Sequence, residues 1–430
     1  MRKLLSLLLL CACAVTAWAA REGRVSNAAG LRVALQSVQP GDTILIEPGE
    51  YRGYFSLTNH RATAEQPTVI AAADPDRPPV LRGAAECLHL SNVSHVVLRN
   101  LVLTEARVNG LNIDDGGDYA TPSDHVTLEG LTVRDVGAGG NQDGIKLSGV
   151  DDVLVLGCTV ERWGGGGSAI DMVGCHRVLI ADSTFRHHRG RGGSGIQAKG
   201  GSASVVVYRN RFEHAGQRAV NMGGSTGRAY LRPKDAHCEA RRIAVLGNVF
   251  VGSMAPVAYV GCDQGLVSHN TIYRPTRWAL RILQETTAEG FVPCRKGVFR
   301  HNLIVWRQGD LAETVNIGPN TEPETFRFES NWWYCEDAPA RSKPSLPVAE
   351  KDGVVGRDPK LTLDGLRATA PGAPDHGAGV KAAAEEAARI APRLAPWAFE
   401  AAVARADDGK AATGKRDLDR ALDALKGLVP

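Results

Sequence analysis

Lys146, Asp171, Gln197 and Asn221 are each the third residue of a short run: "GIKLSG", "AIDMVG", "GIQAKG" and "AVNMGG". They follow one another at intervals of 25, 26 and 24 residues. If each run is one rung of a repeating coil, these side chains become neighbours in a single column. Lys146 and Asp171 then form an ion pair, with a surface salt bridge as the plain role and general acid or base work by Asp171 as the sharper one. Lys199 stands two residues beyond Gln197, and its counterparts in that column are Val173 and Gly223. No carboxylate is then directly above or below it. A lysine without a counter-ion beside an apolar wall has its ammonium form disfavoured. Such a group can accept a proton near neutral pH, or hold an anionic sugar while charged. The bland alternative is a solvated lysine that tolerates its place.

The third position falls at His89, Asn112, Lys146, Asp171, Gln197, Asn221, Ala258, Arg281 and Asn316, in steps of 23 to 26 residues that lengthen to 34–37 where a loop is inserted. A second pattern ("HVVLRN", "VVVYRN", "IAVLGN", "GLVSHN") alternates with the first. It sets out another column: Asn100, Gly130, Cys158, Ser183, Asn210, Asn248, Asn270, Asn302 and Asn331. Self-similarity at a short period predicts a solenoid. Period-two alternation makes each run a half-buried strand, and stacked coils pair like with like at ~4.8 Å. Asparagine repeated at one corner can bond its amide to the next coil. The fold class is therefore all-β: a parallel β-helix solenoid.

The ends fit this reading. "SNAAGLRVALQSV" predicts a capping helix started by Ser26 or Asn27, with Leu31, Ala34, Leu35 and Val38 on one face. A helix there covers the open sheet edge of the first coil. "AAAEEAARIAPRL" predicts a helical extension at the other end. The division is 1–20 signal peptide, 21–398 solenoid with its caps, and 399–430 a low-complexity, partly helical tail, expected to be mobile from about Ala401.

Three insertions leave from the same side of the first pattern: after Asn112, after Asn221 and after Arg281. They would wall the polar face into a groove, as binding insertions on solenoids do. The groove candidates are Lys199, Asp171, Lys146 and Arg218 for chemistry. Gln197, Asn221, Arg228, Arg232, His237, Arg281 and Glu285 are the candidates for binding. His187 and His214 occupy matching turns. Asp114, Asp115, Asp118 and Asp124 share one loop, and hard oxygen ligands at that density can hold calcium, although the spacing matches no standard calcium loop. Asp114 and Asp115 are the candidate ligands, and Ca2+ is the one cofactor to consider. Cys158 reads as buried and inert. Cys238 and Cys294 lie in two insertions where a bridge can form, with Cys262 as a competitor.

Composition excludes several classes. Residues 1–20 have a basic start, an apolar run and "TAWAA", the pattern of a secretory signal peptide, so a secreted or periplasmic location is expected; a lipoprotein through Cys11 or Cys13 fits less well. Beyond them 48 Lys and Arg face 47 Asp and Glu with no like-charge block, so no nucleic-acid arm is present. No later stretch approaches the ~18 apolar residues of a transmembrane anchor. Seven cysteines remain, too few and too scattered for a disulfide scaffold. A monomer is expected.

From about residue 41 to 370 these repeats resemble the right-handed parallel β-helix, or pectin-lyase-like, superfamily. The opening "VQPGDTILIEPGEYRG" followed by "AEQPTVIAAA" is similar to that of secreted lyases of the chondroitinase B and alginate lyase type. The resemblance implies a right-handed coil and β-elimination on an acidic polysaccharide. It also implies a groove lysine as base, an arginine on the next coil as acid, and calcium on the uronate carboxylate. Lys199 matches the lysine. Where the family has its arginine this chain has Asn221 or Met222, which leaves Arg218 or an insertion arginine for that role. A lyase or related epimerase is the first expectation. "NQDGIKLSG" also resembles the Asn-Thr-Asp-Gly stretch of polygalacturonases, whose other motifs are not found. A glycoside hydrolase using Asp171 with Asp114 or Glu285 is the second expectation, and a non-catalytic carbohydrate-binding solenoid the third.

Overall fold

The computed structural model describes residues 20–407, apart from 138, 189, 191, 363–365 and 374–375. Residues 1–19, all but the last of the expected signal peptide, and the residues after 407 lie outside them. The chain winds into a parallel β-helix whose coils each contribute a strand to three columns. In the first column Ile145–Ser148, Ser168–Val173, Ser194–Lys199 and Arg218–Gly223 pair in parallel. In the second, Val150–Leu156, His176–Ala181, Ser202–Tyr208 and Ala240–Leu246 do the same. The third is a separate twelve-stranded sheet of short strands such as Thr184–Arg186 and Arg211–Glu213.

Alternation decides which side chains go inside. Leu111, Ile145, Ile170, Ile196, Val220, Val257, Leu280 and Val315 are register partners up one inner column, all buried. Phe185, Phe212 and Phe250 stack in the third sheet at centroid distances of 5.0 and 4.7 Å. Burying one such side chain contributes about 1.5–3 kcal/mol, repeated at every coil.

The asparagine column is real but shorter than its sequence pattern. Asn210, Asn248, Asn270 and Asn302 each donate a side-chain N–H to the Oδ1 of the next asparagine at 2.9–3.1 Å. Asn331 ends the run on Glu350 at 2.7 Å. Ser183 and Cys158 extend it downward through backbone N–H donors. Asn100 and Gly130 do not belong to it. Arg99 pairs with Glu129 and Glu129 with Leu156, so both residues sit one position early, beside Gly157. Their φ values of 55° and 62° explain their identity, since that left-handed turn favours Asn and Gly.

The ends are covered by helices. Helix α1, Ala28–Ser37, starts where the Asn27 side chain accepts from Gly30 N at 2.9 Å, and it buries Leu31 and Leu35 over the first coil. Helices α2, Lys381–Leu394, and α3, Pro396–Asp407, lie on the outer face of the second sheet. Ala387, Ala391, Ala398, Phe399 and Ala402 pack there against Leu154, Leu179, Val206 and Leu246. The expected start of a mobile tail near Ala401 is therefore too early: Ala402 is buried, and Arg405 donates to Glu129 at 3.1 Å. Glu386 anchors α2, accepting from Ser268 Oγ at 2.6 Å, His269 Nδ1 at 2.9 Å, and Arg300. Burial alone would raise its carboxyl, but these bonds hold it down at about 2. The helices close off the second sheet's outer face and leave that of the first open. No described helix is long and apolar enough to cross a membrane.

Candidate functional site

All nine third-position residues fall in one register-paired column on the outer face of the first sheet, from His89 to Asn316. Ser56 adds a tenth. This face is the trough, and its centre is a cluster of four charges. Lys146 bonds Asp171 through Oδ2, and its Nζ is 3.9 Å from Asp143 Oδ2. Lys199 Nζ is 3.3 Å from Asp171 Oδ1.

Lys199 therefore does have a carboxylate, contrary to the column expectation. Val173 is its register partner, but the counter-ion is diagonal to it, two residues back on the neighbouring coil. Diagonal neighbours lie within reach of long side chains. The two carboxylates are sunk: Asp171 is 0% and Asp143 2% exposed, against 20% for Lys146 and 16% for Lys199. Ammonium groups thus face the trough with carboxylates behind them. Asp171 Oδ1 makes no hydrogen bond, so its contact with Lys199 is purely ionic.

Asp143 was not among the candidates. It precedes the strand run, in the turn "NQDG", and the signal was its place three residues before Lys146. Its Oδ1 accepts from Ser168 N at 2.6 Å. Burial pushes its carboxyl up from 3.8 to about 7; Asp171 adds to the rise and Lys146 opposes it. A folded carboxyl that keeps its proton to higher pH than the unfolded one stabilises fully below about pH 4 and progressively less as pH approaches 7. Asp143→Asn should therefore flatten the decline of denaturation midpoint between pH 4 and 7. An unchanged slope would count against the assignment.

Towards the C-terminal end, Arg218 donates to Glu285 at 2.6 Å and reaches Asn221 Oδ1 at 3.4 Å. Arg281 donates to Asn316 at 2.8 Å and lies 4.1 Å from the Trp278 ring centroid. Burial, with Arg218 nearby, pushes Arg281 down to about 10. Gln197 bonds Gly223 O and Ser168 Oγ, each at 3.3 Å. Asn221 is buried and donates to Gly223 O, so it belongs to the floor and is not a ligand contact.

The insertions form one wall, pinned by a buried glutamate. Glu239 accepts from Gly200 N, Thr226 N and Thr286 Oγ1. Arg228 donates to Glu289 O at 2.5 Å, joining the second insertion to the third, and His237 is exposed on it. Arg232 is not a groove residue. It folds back to bond Asp151 at 2.7 and 2.9 Å and Gly174 O at 2.8 Å, clamping the insertion to the corner of the coil. His187 and His214 take left-handed turn conformations at the opposite border.

Two further expectations are corrected. Cys238, Cys262 and Cys294 are free, buried thiols, because Cys262 and Cys294 turn into the core; burial pushes Cys238 up to about 11 and Cys294 to about 12. Asp114 and Asp115 do not converge on a cation. Asp114 accepts from His89, Ser91 and Gly116, while Asp115 accepts from Gly117 N, and neither joins a third ligating group. Among the described residues His95, Asp124 and His125 alone bring three such atoms within 4.8 Å, and Arg61 already pairs with Asp124.

The architecture is that of a known class. The family described as the right handed beta helix region matches residues 86–272. The chain has the right-handed parallel β-helix fold, and over those residues it is similar to that family. Solved structures similar to it include a GH136 lacto-N-biosidase from Eubacterium ramulus (14% identity, TM-score 0.55, 78% of this chain and 68% of that one). Pectate lyase Pel9A is another (13%, 0.50, 81% and 89%). An alginate lyase from Paenibacillus sp. str. FPU-7 is a third (18%, 0.49, 69% and 97%). At such identities the likeness is one of fold. No curated protein matches the sequence.

Proposed function

We propose that this chain is an exported carbohydrate-active enzyme that removes the proton α to the carboxylate of a uronate residue, as a polysaccharide lyase or epimerase, with Lys199 as the base. One observation carries the reading: the trough presents Lys146 and Lys199 to solvent while Asp143 and Asp171 lie beneath them. A floor of cations attracts a uronate and stabilises the enolate that forms on it. Lys199 is the displaceable partner of Asp171, because Lys146 already bonds the other oxygen of that carboxylate. Loss of its proton leaves Asp171 still neutralised.

In the lyase step Lys199, having given its ammonium proton to solvent, takes the C–H proton; the bond to the leaving glycosidic oxygen breaks, a carbon–carbon double bond forms, and the departing oxygen takes a proton from water. Arg218, which donates to Glu285, would steady the carboxylate or the leaving oxygen. In the epimerase variant a proton returns to the opposite face and the chain stays intact. Asp114 and Asp115 do not fit a calcium site, so the lysines and Arg218 carry the electrostatic work. Fold neighbours that include a pectate lyase and a lacto-N-biosidase support action on a glycan. A hydrolase reading would draw on Asp143 as acid and Asp171 as base. Both are buried beneath the two lysines, which disfavours that reading.

The test is a panel of alginate, pectate and chondroitin sulfate with the mature protein. Ultraviolet absorbance from unsaturated uronate identifies the lyase, and altered C5 configuration without cleavage identifies the epimerase. Reducing ends without that absorbance would mean hydrolysis. Binding with unchanged chain length and configuration would leave a non-catalytic solenoid.

A further inference from the structure

We propose that Tyr54, His89 and Asp114 form a second centre at the N-terminal end of the trough, one that activates water against an uncharged ester on a glycan. It goes beyond proton abstraction by Lys199 and does not depend on it. Tyr54 Oη lies 2.7 Å from His89 Nδ1, and His89 Nε2 lies 2.6 Å from Asp114 Oδ2. An ionised carboxylate only accepts, so Nε2 carries the imidazole proton and Nδ1 accepts from the phenol. Ser91 Oγ at 2.6 Å and Gly116 N at 2.9 Å fix the other oxygen of Asp114. Register holds the three groups on one face, with Ser56 opposite His89, His89 opposite Asn112 and Ser91 opposite Asp114. Tyr54 is 42% exposed, and its partners are sheltered behind it. A solvent-facing hydroxyl, a base in hydrogen-bond reach and a carboxylate that orients the base are the parts of an activated oxygen.

The surrounding charge selects the substrate. Glu86 Oε2 is 3.6 Å from His89 Nδ1, and among the described residues no Lys or Arg pairs with Glu86, His89 or Asp114. This end of the trough therefore repels a uronate carboxylate and offers nothing to stabilise its enolate. Acetal hydrolysis commonly employs two carboxyl groups astride the bond. Ester hydrolysis needs base-activated water, which the relay supplies. Three coils separate His89 from Asp171, roughly 14 Å at the usual strand spacing, so the two centres cannot serve one sugar ring.

The step balances within the relay. Water oxygen bonds to the ester carbonyl carbon as its proton passes to Tyr54 Oη and the phenolic proton passes to His89 Nδ1. The imidazolium is held by Asp114. Collapse of the tetrahedral intermediate breaks the ester C–O bond, and the departing alcohol oxygen takes the proton back through Tyr54. Ester and water become acid and alcohol, and the relay is restored.

The experiment uses the whole mature protein with p-nitrophenyl acetate as probe. Tyr54→Phe and His89→Gln should each lower the protein-dependent rate at least tenfold. Tyr230→Phe, which removes a 63% exposed phenol on the wall, should leave it unchanged. Equal unfolding midpoints exclude misfolding as the cause. O-acetylated polymer and methyl-esterified pectin then separate acyl from alkyl esters. A Tyr54→Phe rate equal to wild type, or no protein-dependent hydrolysis at all, overturns the proposal. Unsaturated uronate or altered C5 configuration without esterase activity sinks this centre alone; esterase activity with neither of those changes sinks the role of Lys199 alone.

Discussion

Replacing Lys199 with alanine should reduce unsaturated-uronate formation by about 10²–10⁴-fold, the usual contribution of a positioned general base. The effect should fall on kcat more than on KM, because Lys146 and Arg218 still hold the substrate's charge. Lys199→Arg should fail to rescue it: a guanidinium stays protonated at working pH and cannot accept the proton. The same variants should unfold close to wild type, since Asp171 retains its bond from Lys146. Lys146→Met is the contrasting case. It strips the close partner from Asp171, leaving only the longer ionic contact with Lys199, and removes the nearest cation from Asp143. Stability should fall there by about 3–5 kcal/mol. A Lys199→Ala enzyme within threefold of wild type on whichever polymer is cleaved would remove this lysine from the chemistry.

How far the sequence revealed this site follows from what a repeat encodes. The outward column from His89 to Asn316 was legible residue by residue, because period-two alternation and a coil of fixed length leave one register. The diagonal contact between Lys199 and Asp171 was not. A column argument considers directly stacked positions, and a lysine side chain is long enough to cross two residues and one coil. Asp143 escaped because it sits in the turn before the run, where periodicity says nothing about side-chain direction. Arg232 looked like part of a basic loop and proved to be its clamp, since its partner Asp151 is 81 residues away. Asn100 and Gly130 imitated the ladder because left-handed turns favour the same small polar residues as the ladder's corner. Tyr54 was invisible for another reason: it stands in an early coil, before the repeat becomes regular enough to align.

The second large effect concerns the ladder itself. Asn270 donates from Nδ2 to Val245 O at 2.9 Å, Ser268 O at 3.0 Å and Asn302 Oδ1 at 2.9 Å. Its Oδ1 accepts from the backbone and side-chain N–H groups of Asn248 at 2.9 and 3.0 Å. The residue is fully buried, so no water can take over these partners. Alanine at this position strands several buried donors and acceptors at once, each worth about 1–3 kcal/mol when left unmade. Some carbonyls keep other bonds, so the loss should come to at least about 3 kcal/mol, read as a lower denaturant midpoint with an unchanged slope. Aspartate should be at least as damaging, because it keeps the acceptor, loses the donors and buries a charge with no cation to meet it. Asn100→Ala is the control: it lies outside the ladder, and its cost should be that of one left-handed turn, about 1 kcal/mol. Equal losses at 100 and 270 would mean that the column of amides does not hold the coils in register.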